Sequence, residues 1–489
     1  MMKKLIEQNI YALVTPATVL ISGLVTSLLF TRLLNRTDFG VFTTLISFTL
    51  LFTGISDLGL ANTFIKIVGE SFHSKDGRAG FYVRYLLKWK LAALVLISLM
   101  LIIFPAPISK FFLHDEKFTY IMEMTGFLTI LYSVSQFVVY LFMALGRFEY
   151  SSMISFVFNF SKVVFPVALV LLFGSSLITI VVGVMLAFLL AAIISLLLFL
   201  FKFKENLAYK PTKSSAISSF FFYSTILSLA SLLSGNIDSV MLNYFRGPDE
   251  LALFTVSSSV IFLIVSVLPL SSTFLLSTLV QMETKKETEL QSRVFDRSIK
   301  YGLLASIPLS FLVYLTANRI VLFLWPQSYL LAGQSLRALS PIIPFMFLNG
   351  ICANVFISKG KMKELTTIMF VTYMVTWLAG LYLISQYGLI GTSLTFLLWQ
   401  MFQFILTIVP SLKMLKLKFN SMHLIKPTLA SLVIAILITL LNTAVSSTLV
   451  LFLIAGVLFC IVYLPLLDAD DKRLINALLS FVKLGPLFR

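Results

Sequence analysis

Ile178–Phe201 runs for 24 residues without a charged side chain, and this dictates the environment in which the chain folds. Leu91–Phe104, Ser215–Asn236 and Pro427–Leu467 are equally free of charge. About 20 apolar residues in a helix cross a 30 Å hydrocarbon layer. No water reaches the backbone there, so only helices or closed barrels span it. The alternation of polar and apolar residues that marks a membrane barrel is absent. The expected fold class is therefore an all-α polytopic membrane protein. Composition agrees: 59% of residues are hydrophobic and 12% charged, against about 25% charged in soluble domains.

About fourteen spans are expected, at 10–31, 40–66, 89–108, 119–145, 153–173, 177–201, 220–244, 250–281, 303–325, 338–358, 366–386, 388–411, 427–447 and 448–467. Met1–Gln8 is charged and the apolar run from Ile10 lacks a small-residue cleavage site, so the first span is expected to be retained. With the amino terminus in the cytoplasm, alternate loops hold the lysine clusters. These are 75–88, 202–213, 285–300, 359–363 and 413–426, while the other loops hold few cations. This is the positive-inside pattern, and it places both ends in the cytoplasm. The net charge of +16 lies in these short loops, where topology accounts for it, so nucleic acid is not an expected partner. Phe81–Lys90 and the tail around Leu474, Leu478 and Phe481 read as interfacial amphipathic segments.

The chain repeats itself. Ile21–Thr43 aligns without a gap on Leu233–Thr255 at an offset of 212, pairing Ser22-Gly23 with Ser234-Gly235 and Asp38 with Glu250. At an offset of 214, Gly146-Arg147 falls on Gly360-Lys361, Phe156-Val157 on Phe370-Val371, and Gly174 on Gly388. Six spans per repeat is an even number, so the two units cross the membrane in the same direction. The expected organisation is two parallel six-helix lobes, 1–210 and 211–420, followed by 421–489 with two additional spans and an amphipathic cytoplasmic tail.

Arg32-Leu33-Leu34-Asn35-Arg36-Thr37-Asp38-Phe39-Gly40-Val41-Phe42, with Asp57-Leu58-Gly59-Leu60 about fifteen residues on, resembles the polysaccharide transporter family. The Gly146-Arg147 after the fourth span and the Tyr387-Gly388 before the twelfth also fit. These are flippases of lipid-linked oligosaccharides, in the MOP superfamily shared with MATE drug exporters and the lipid II flippase. The resemblance covers the whole chain in layout and is specific over about residues 15–70. It implies two six-helix lobes, fourteen spans in many members, and transfer of an undecaprenyl-pyrophosphate-linked sugar unit between leaflets. It also implies a lipid-linked oligosaccharide as substrate, with membrane lipid and other polysaccharide-assembly membrane proteins as partners, in a bacterial cytoplasmic membrane.

Charges deep in a span cost roughly 2.5–3.5 kcal/mol each on insertion scales, so each needs a reason. Lys162 lies near the middle of the fifth span, with Asn159 at i−3 on the same face. An ammonium and an amide facing a cavity suit a pyrophosphate or an acidic sugar; the other reading is that Lys162 snorkels or pairs with a carboxylate. Asp238 sits towards the end of the seventh span, above Ser231, Ser234 and Gly235. The first span carries the matching stripe Thr15, Ser22, Gly23 and Thr26. Small polar stripes mark close helix packing. Asp238, whose repeat mate Thr26 is uncharged, also suits a proton or sodium site or a partner for Lys162. Asp57, towards the cytoplasmic end of the second span, either lines a mouth or bonds neighbouring helix ends. Gln136, Asn349, Asn354, Gln400 and Gln403 suit sugar hydroxyls or helix packing.

Cys352 and Cys460 both fall in predicted spans and make no disulfide framework. His73, His114 and His423 fall in loops, and no metal-ligand cluster, phosphate loop or nucleophile–base motif occurs. No cofactor is expected beyond proton or sodium coupling, and no enzyme activity. The competing readings are a MATE-like ion-coupled exporter, which favours an acidic cavity for cationic drugs, and a polysaccharide polymerase, which the short loops oppose.

Overall fold

The computed structural model describes residues 18–444, apart from 20, 58, 75, 114–117, 203–220, 223, 226–227, 229–237 and 268–272, and a few positions between 450 and 462. The described residues form helices and no strand. Nine of these helices are long and apolar enough to cross a membrane, or ten when a pair bent by 43° at 340–341 is taken as one span.

In the first half, α1 (Ile21–Leu33) leads to α2 (Arg36–Asp57). Asn35 caps α2: the Asp38 amide donates to Asn35 Oδ1 at 2.8 Å and Asn35 Nδ2 donates to Asp38 Oδ2 at 2.9 Å. Reciprocal bonds of this kind satisfy donors that the helix start leaves open. The chain then continues as α3 (Ala79–Ile103), α4 (Pro105–Leu113), α5 (Thr119–Ala144), α6 (Phe148–Phe173) and α7 (Leu177–Lys202). In the second half, helical residues 238–246 precede α8 (Pro248–Val267), α9 (Thr273–Thr284), α10 (Thr288–Leu324), α11 (Ala332–Leu339), α12 (Ile342–Ser358), α13 (Met362–Met414) and α14 (Met422–Ala444). The backbone reverses within α13 at Gly388, with φ 52° and ψ −124°, so α13 is two antiparallel crossings.

Two boundaries differ from expectation. The second span ends at Asp57 and continues as a short helix (Leu60–Thr63), a π-helical turn (Phe64–Val68) and a last helical piece (Gly69–Ser74). The third span starts at Ala79, so Phe81–Lys90 is the first part of a crossing helix and not an interfacial segment. The predicted tail helix, Cys460 and the predicted domain boundary near 210 lie outside the described residues.

The repeat is visible in the backbone. Gly146 and Gly360 have φ of 72° and 69°, and Gly174 and Gly388 have φ of 85° and 52°; each pair stands at the offset of 214. The two units meet on their symmetry axis. Thr37 Oγ1 donates to Asp249 Oδ1 at 2.9 Å, and these residues are repeat mates at 212. Under a twofold only residues near the axis touch their own mates, so the axis passes between α2 and α8 at this contact. Both residues lie in the first turn of their helices, so the helices run the same way, as six spans per unit require. Gly40 makes the approach possible: a Cβ on it would lie 1.9 Å from the Pro248 carbonyl oxygen.

Bonds around this contact tie the halves together. Arg36 Nε lies 3.5 Å from Asp249, and its guanidinium donates to the Ser328 carbonyl at 3.4 Å. Arg32 donates to the Leu324 carbonyl at 3.2 Å and Trp325 Nε1 to Ser27 Oγ at 3.1 Å. Tyr329 meets Phe39 edge-on, its own phenol pushed above its ordinary range by burial. The predicted short loop at 326–337 is therefore a folded cap, a 3-10 turn (Gln327–Tyr329) followed by α11, seated over the first half. At the other, lysine-rich end, Ser224 Oγ donates to the Gly59 carbonyl at 2.8 Å, and Phe221 is buried with Leu60, Phe64 and Phe142. Outside the repeat, Ala430, Ile434 and Ile438 of α14 pack on Leu304, Leu312 and Leu315 of α10, and His423 Nε2 lies 3.1 Å from Asp296.

Gly40→Ala is expected to destabilise the purified chain in detergent by about 1–3 kcal/mol, because the added methyl meets backbone that has no rotamer to move. Gly23→Ala is the control, since nothing lies within 4 Å of a Cβ there. Equal melting of the two variants would refute the close contact.

Candidate functional site

Asp57 ends α2, where the helix dipole disfavours a carboxylate. A cation resolves this: Lys90 of α3 forms an ion pair with it, and Tyr140 of α5 donates a hydrogen bond to Asp57 Oδ2 at 3.4 Å. Lys90 is 2% exposed and Asp57 9%, so the pair is shut away from solvent. Gln136 stands one turn before Tyr140 and Tyr132 another turn back. Residues four apart share a helix face, so α5 carries a polar ladder running from the ion pair towards the membrane centre.

Sequence reasoning missed Lys90 by grouping it with Arg84 and Lys88 at the interface. A usable signal was present. Lys90 is two residues past Lys88, about 200° round the helix, and so faces away from it; Arg84, Lys88 and Trp89 are exposed. The choice at Asp57 between lining a mouth and bonding neighbours falls to the second.

Lys162 is the opposite case. On α6, Met153, Phe156, Phe160 and Val164 form an exposed apolar stripe. Lys162 lies two residues past Phe160 and points away from that stripe, into the bundle, yet stays half-buried. Its ammonium sits 5.8 Å from the centroid of the Phe158 ring. Phe158 in turn packs with Phe188 at 4.7 Å and Tyr132 at 5.5 Å, so the aromatic cradle of Lys162 is the far end of the α5 ladder. Among the described residues no carboxylate pairs with Lys162. Asn159 is buried and its Nδ2 donates to the Ser155 carbonyl at 2.8 Å, back into its own helix. Its oxygen and second N–H are left for another partner.

Asp238 is half-buried in helical residues 238–246 and makes no ion pair among the described residues, so it is not the partner of Lys162. Ser231, Ser234 and Gly235 lie outside the described residues. Tyr140 beside Asp57 and Tyr132 beside the ring that cradles Lys162 thus stand two turns apart on one face of α5, and Asp238 is bonded to neither lysine among the described residues. Of the other polar positions, Asn349 Nδ2 donates to both Gln400 Oε1 and the Gln400 carbonyl, at 2.8 and 2.9 Å, which holds α12 to α13. His423 opens α14 and is not in a loop. No group of three metal-ligating side chains occurs among the described residues.

The buried Lys90 and the half-buried Lys162 therefore have different chemistry. Lys90 is neutralised by Asp57. Lys162 keeps an uncompensated charge on an inward face, beside aromatic rings, and suits an anionic group such as a phosphate. Asp57→Ala leaves Lys90 buried alone and is expected to cost about 3–5 kcal/mol. The double variant Asp57→Leu/Lys90→Met is expected to recover most of that loss. Unfolding midpoints of the three proteins in detergent measure this, and a double variant no better than the single one would show that the charges do not interact.

The chain matches the family model described as polysaccharide biosynthesis protein over residues 7–283 and the MatE model over residues 224–383. No curated protein sequence matches it. Among solved structures it is similar to the lipid II flippase MurJ in an inward closed conformation, with TM-score 0.71 and 14% identity, covering 96% of this chain and 100% of that one. It is also similar to an outward-facing multidrug resistance MATE family transporter of the MOP superfamily, with TM-score 0.61 and 14% identity, covering 85% and 96%. A MOP superfamily transporter from Pyrococcus furiosus with a binding pocket of reversed polarity has TM-score 0.59 and 12% identity, covering 85% and 96%. At these identities the likeness establishes the fold, and the match over more than half of the sequence establishes the rest: the chain is a multi-pass membrane protein of the polysaccharide biosynthesis protein family, in the MOP flippase superfamily.

Proposed function

We propose that this protein flips undecaprenyl-pyrophosphate-linked oligosaccharide units across the bacterial cytoplasmic membrane for surface polysaccharide assembly (O-antigen, capsule or exopolysaccharide). It works by alternating access of two lobes, with both termini in the cytoplasm. The observation that carries this reading is Lys162: a cation at mid-membrane depth, turned away from lipid, cradled by Phe158 and paired with no carboxylate among the described residues. A diphosphate crossing the bilayer needs a positive charge where lipid offers none, and an ammonium there keeps the crossing anion from being fully exposed to hydrocarbon. Asn159 flanks the same face. Asp57 has a supporting role, neutralising Lys90 beneath the polar ladder.

In this reading the substrate chamber lies between the halves, which meet through the Thr37–Asp249 contact at one end and the Gly59–Ser224 contact at the other. Alternating access breaks one while keeping the other. In the lobe assignment of 1–210 and 211–420, Phe221 and Ser224 belong to the second lobe and reach across to the first. Asp238 is assigned to ion coupling, by proton or sodium, since it faces no fixed cation among the described residues.

Lys162→Ala is expected to reduce surface polysaccharide export at least about tenfold at equal protein level, in a strain that depends on this chain; Lys162→Arg is expected to retain much of it. Undiminished export by Lys162→Ala would overturn the anion-handling role. If overexpression instead raises resistance to cationic drugs and leaves the polysaccharide unaffected, the exporter reading replaces this one. Asp238→Asn is expected to remove the sensitivity of export to a protonophore or a sodium ionophore, and unchanged sensitivity to both would exclude Asp238 as the coupling group.

A further inference from the structure

The second half carries, at the depth of Lys162, a cluster of a different kind. The offset of 214 maps Asn159 on Tyr373 and Lys162 on Thr376. The amide and the cation are replaced by rings and a hydroxyl. Tyr373 and Trp399 have ring centroids 5.3 Å apart, Trp399 and Phe396 5.0 Å, and Phe396 and Phe262 6.1 Å. Trp399 lies 11 residues beyond Gly388, and Lys162 lies 12 residues before its mate Gly174. Both are therefore about 16–18 Å from corresponding turns.

The cluster opens on α8. Along that helix Thr255, Ser258 and Ser259 are partly exposed, followed by Phe262, 41% exposed, and the partly exposed Leu263, Ile264 and Val265. The hydroxyls of Thr255, Ser258 and Ser259 each donate back to a carbonyl of their own helix. α8 meets α2 of the other half at the axis, so Phe262 stands towards the space between the halves and Trp399 behind it. The indole N–H groups of Trp399 and of Trp377, one turn from Tyr373, are buried and donate to nothing. Buried donors without acceptors cost roughly 1–3 kcal/mol each and call for a functional reason.

Apolar ring faces beside unused N–H donors match the chemistry of a pyranose, which offers a C–H face and hydroxyl oxygens. We propose that this cluster is the glycan-binding part of the chamber. A neutral sugar ring packs on Phe262 and Trp399, and a sugar hydroxyl accepts from an indole N–H. The rings themselves carry no formal charge, so this subsite takes neutral sugar units and leaves anionic groups to Lys162. The two halves thus divide one amphipathic substrate, the linkage going to the first and the glycan to the second. The assignment rests on the flippase reading above.

The test measures binding of two probes to the full chain in lipid nanodiscs. One is bare undecaprenyl pyrophosphate; the other is the lipid-linked oligosaccharide fraction that accumulates in cells lacking the chain. The expected result is at least about tenfold tighter binding of the glycan-bearing lipid. Trp399→Leu brings that preference to within about twofold, with affinity for the bare lipid unchanged, while Trp399→Phe keeps most of it. Phe262→Leu, at a part-exposed position, lowers the preference without endangering the fold and decides the matter if Trp399→Leu does not fold. Equal binding of both lipids by the unaltered protein overturns the glycan subsite and leaves the flippase reading standing. So does a Phe262→Leu or Trp399→Leu protein that keeps the full preference or weakens both lipids alike. Binding of neither lipid overturns the flippase reading itself.

Discussion

Everything in this molecule is built around one close approach, that of α2 and α8 at the first turns of both helices. Gly40 brings the two backbones together, and Thr37 bonds Asp249, its own counterpart in the repeat. Two bundles held at an axis can turn about it, and whatever lies between them becomes a chamber with two ends. Ridges of larger side chains at Gly40 would hold the helices 8–10 Å apart at the usual packing distance and separate the bonds that Arg32, Arg36 and Trp325 make across the same end. The helices cross in the same sense because six spans separate mates, which is a matter of parity and not of packing.

A symmetric scaffold carries asymmetric chemistry. The backbone obeys the repeat closely enough that four glycines share positive φ in two pairs. The side chains at chamber depth do not obey it: Lys162 and Asn159 on one side stand opposite Thr376 and Tyr373 on the other. A substrate with a charged linkage and a neutral glycan has the same asymmetry. Symmetry sets where the walls are, and substitution on each wall sets what they hold.

The two membrane lysines show why charge alone does not identify a site. Lys90 and Lys162 are alike in sequence, each set in an apolar helix. Lys90 has a carboxylate and a phenol around it and serves the packing of α2 on α3 and α5. Lys162 has a ring at 5.8 Å and no counter-ion among the described residues. Burying a charge with its partner is a structural solution; holding one without a partner on an inward face makes sense only if something else brings the opposite charge.

The sequence by itself determined that the chain is helical, spans a membrane many times, repeats after six spans and places Lys162 and Asp57 deep in the bilayer. Hydrocarbon forbids unsatisfied backbone, and a repeat in sequence becomes a repeat in backbone, so these properties need no knowledge of neighbours. It also contained the angle that separates Lys90 from Lys88, although reading it required the start of α3, which the aromatic and basic residues of Phe81–Lys90 disguised. Only the tertiary structure decided that Asp57 belongs to Lys90, that Asp238 does not belong to Lys162, and that Trp399 joins Tyr373 and Phe262. Those are relations between helices 26 to 137 residues apart in sequence. A helix specifies which of its faces is apolar, but which partner meets the polar face is settled by how the helices pack.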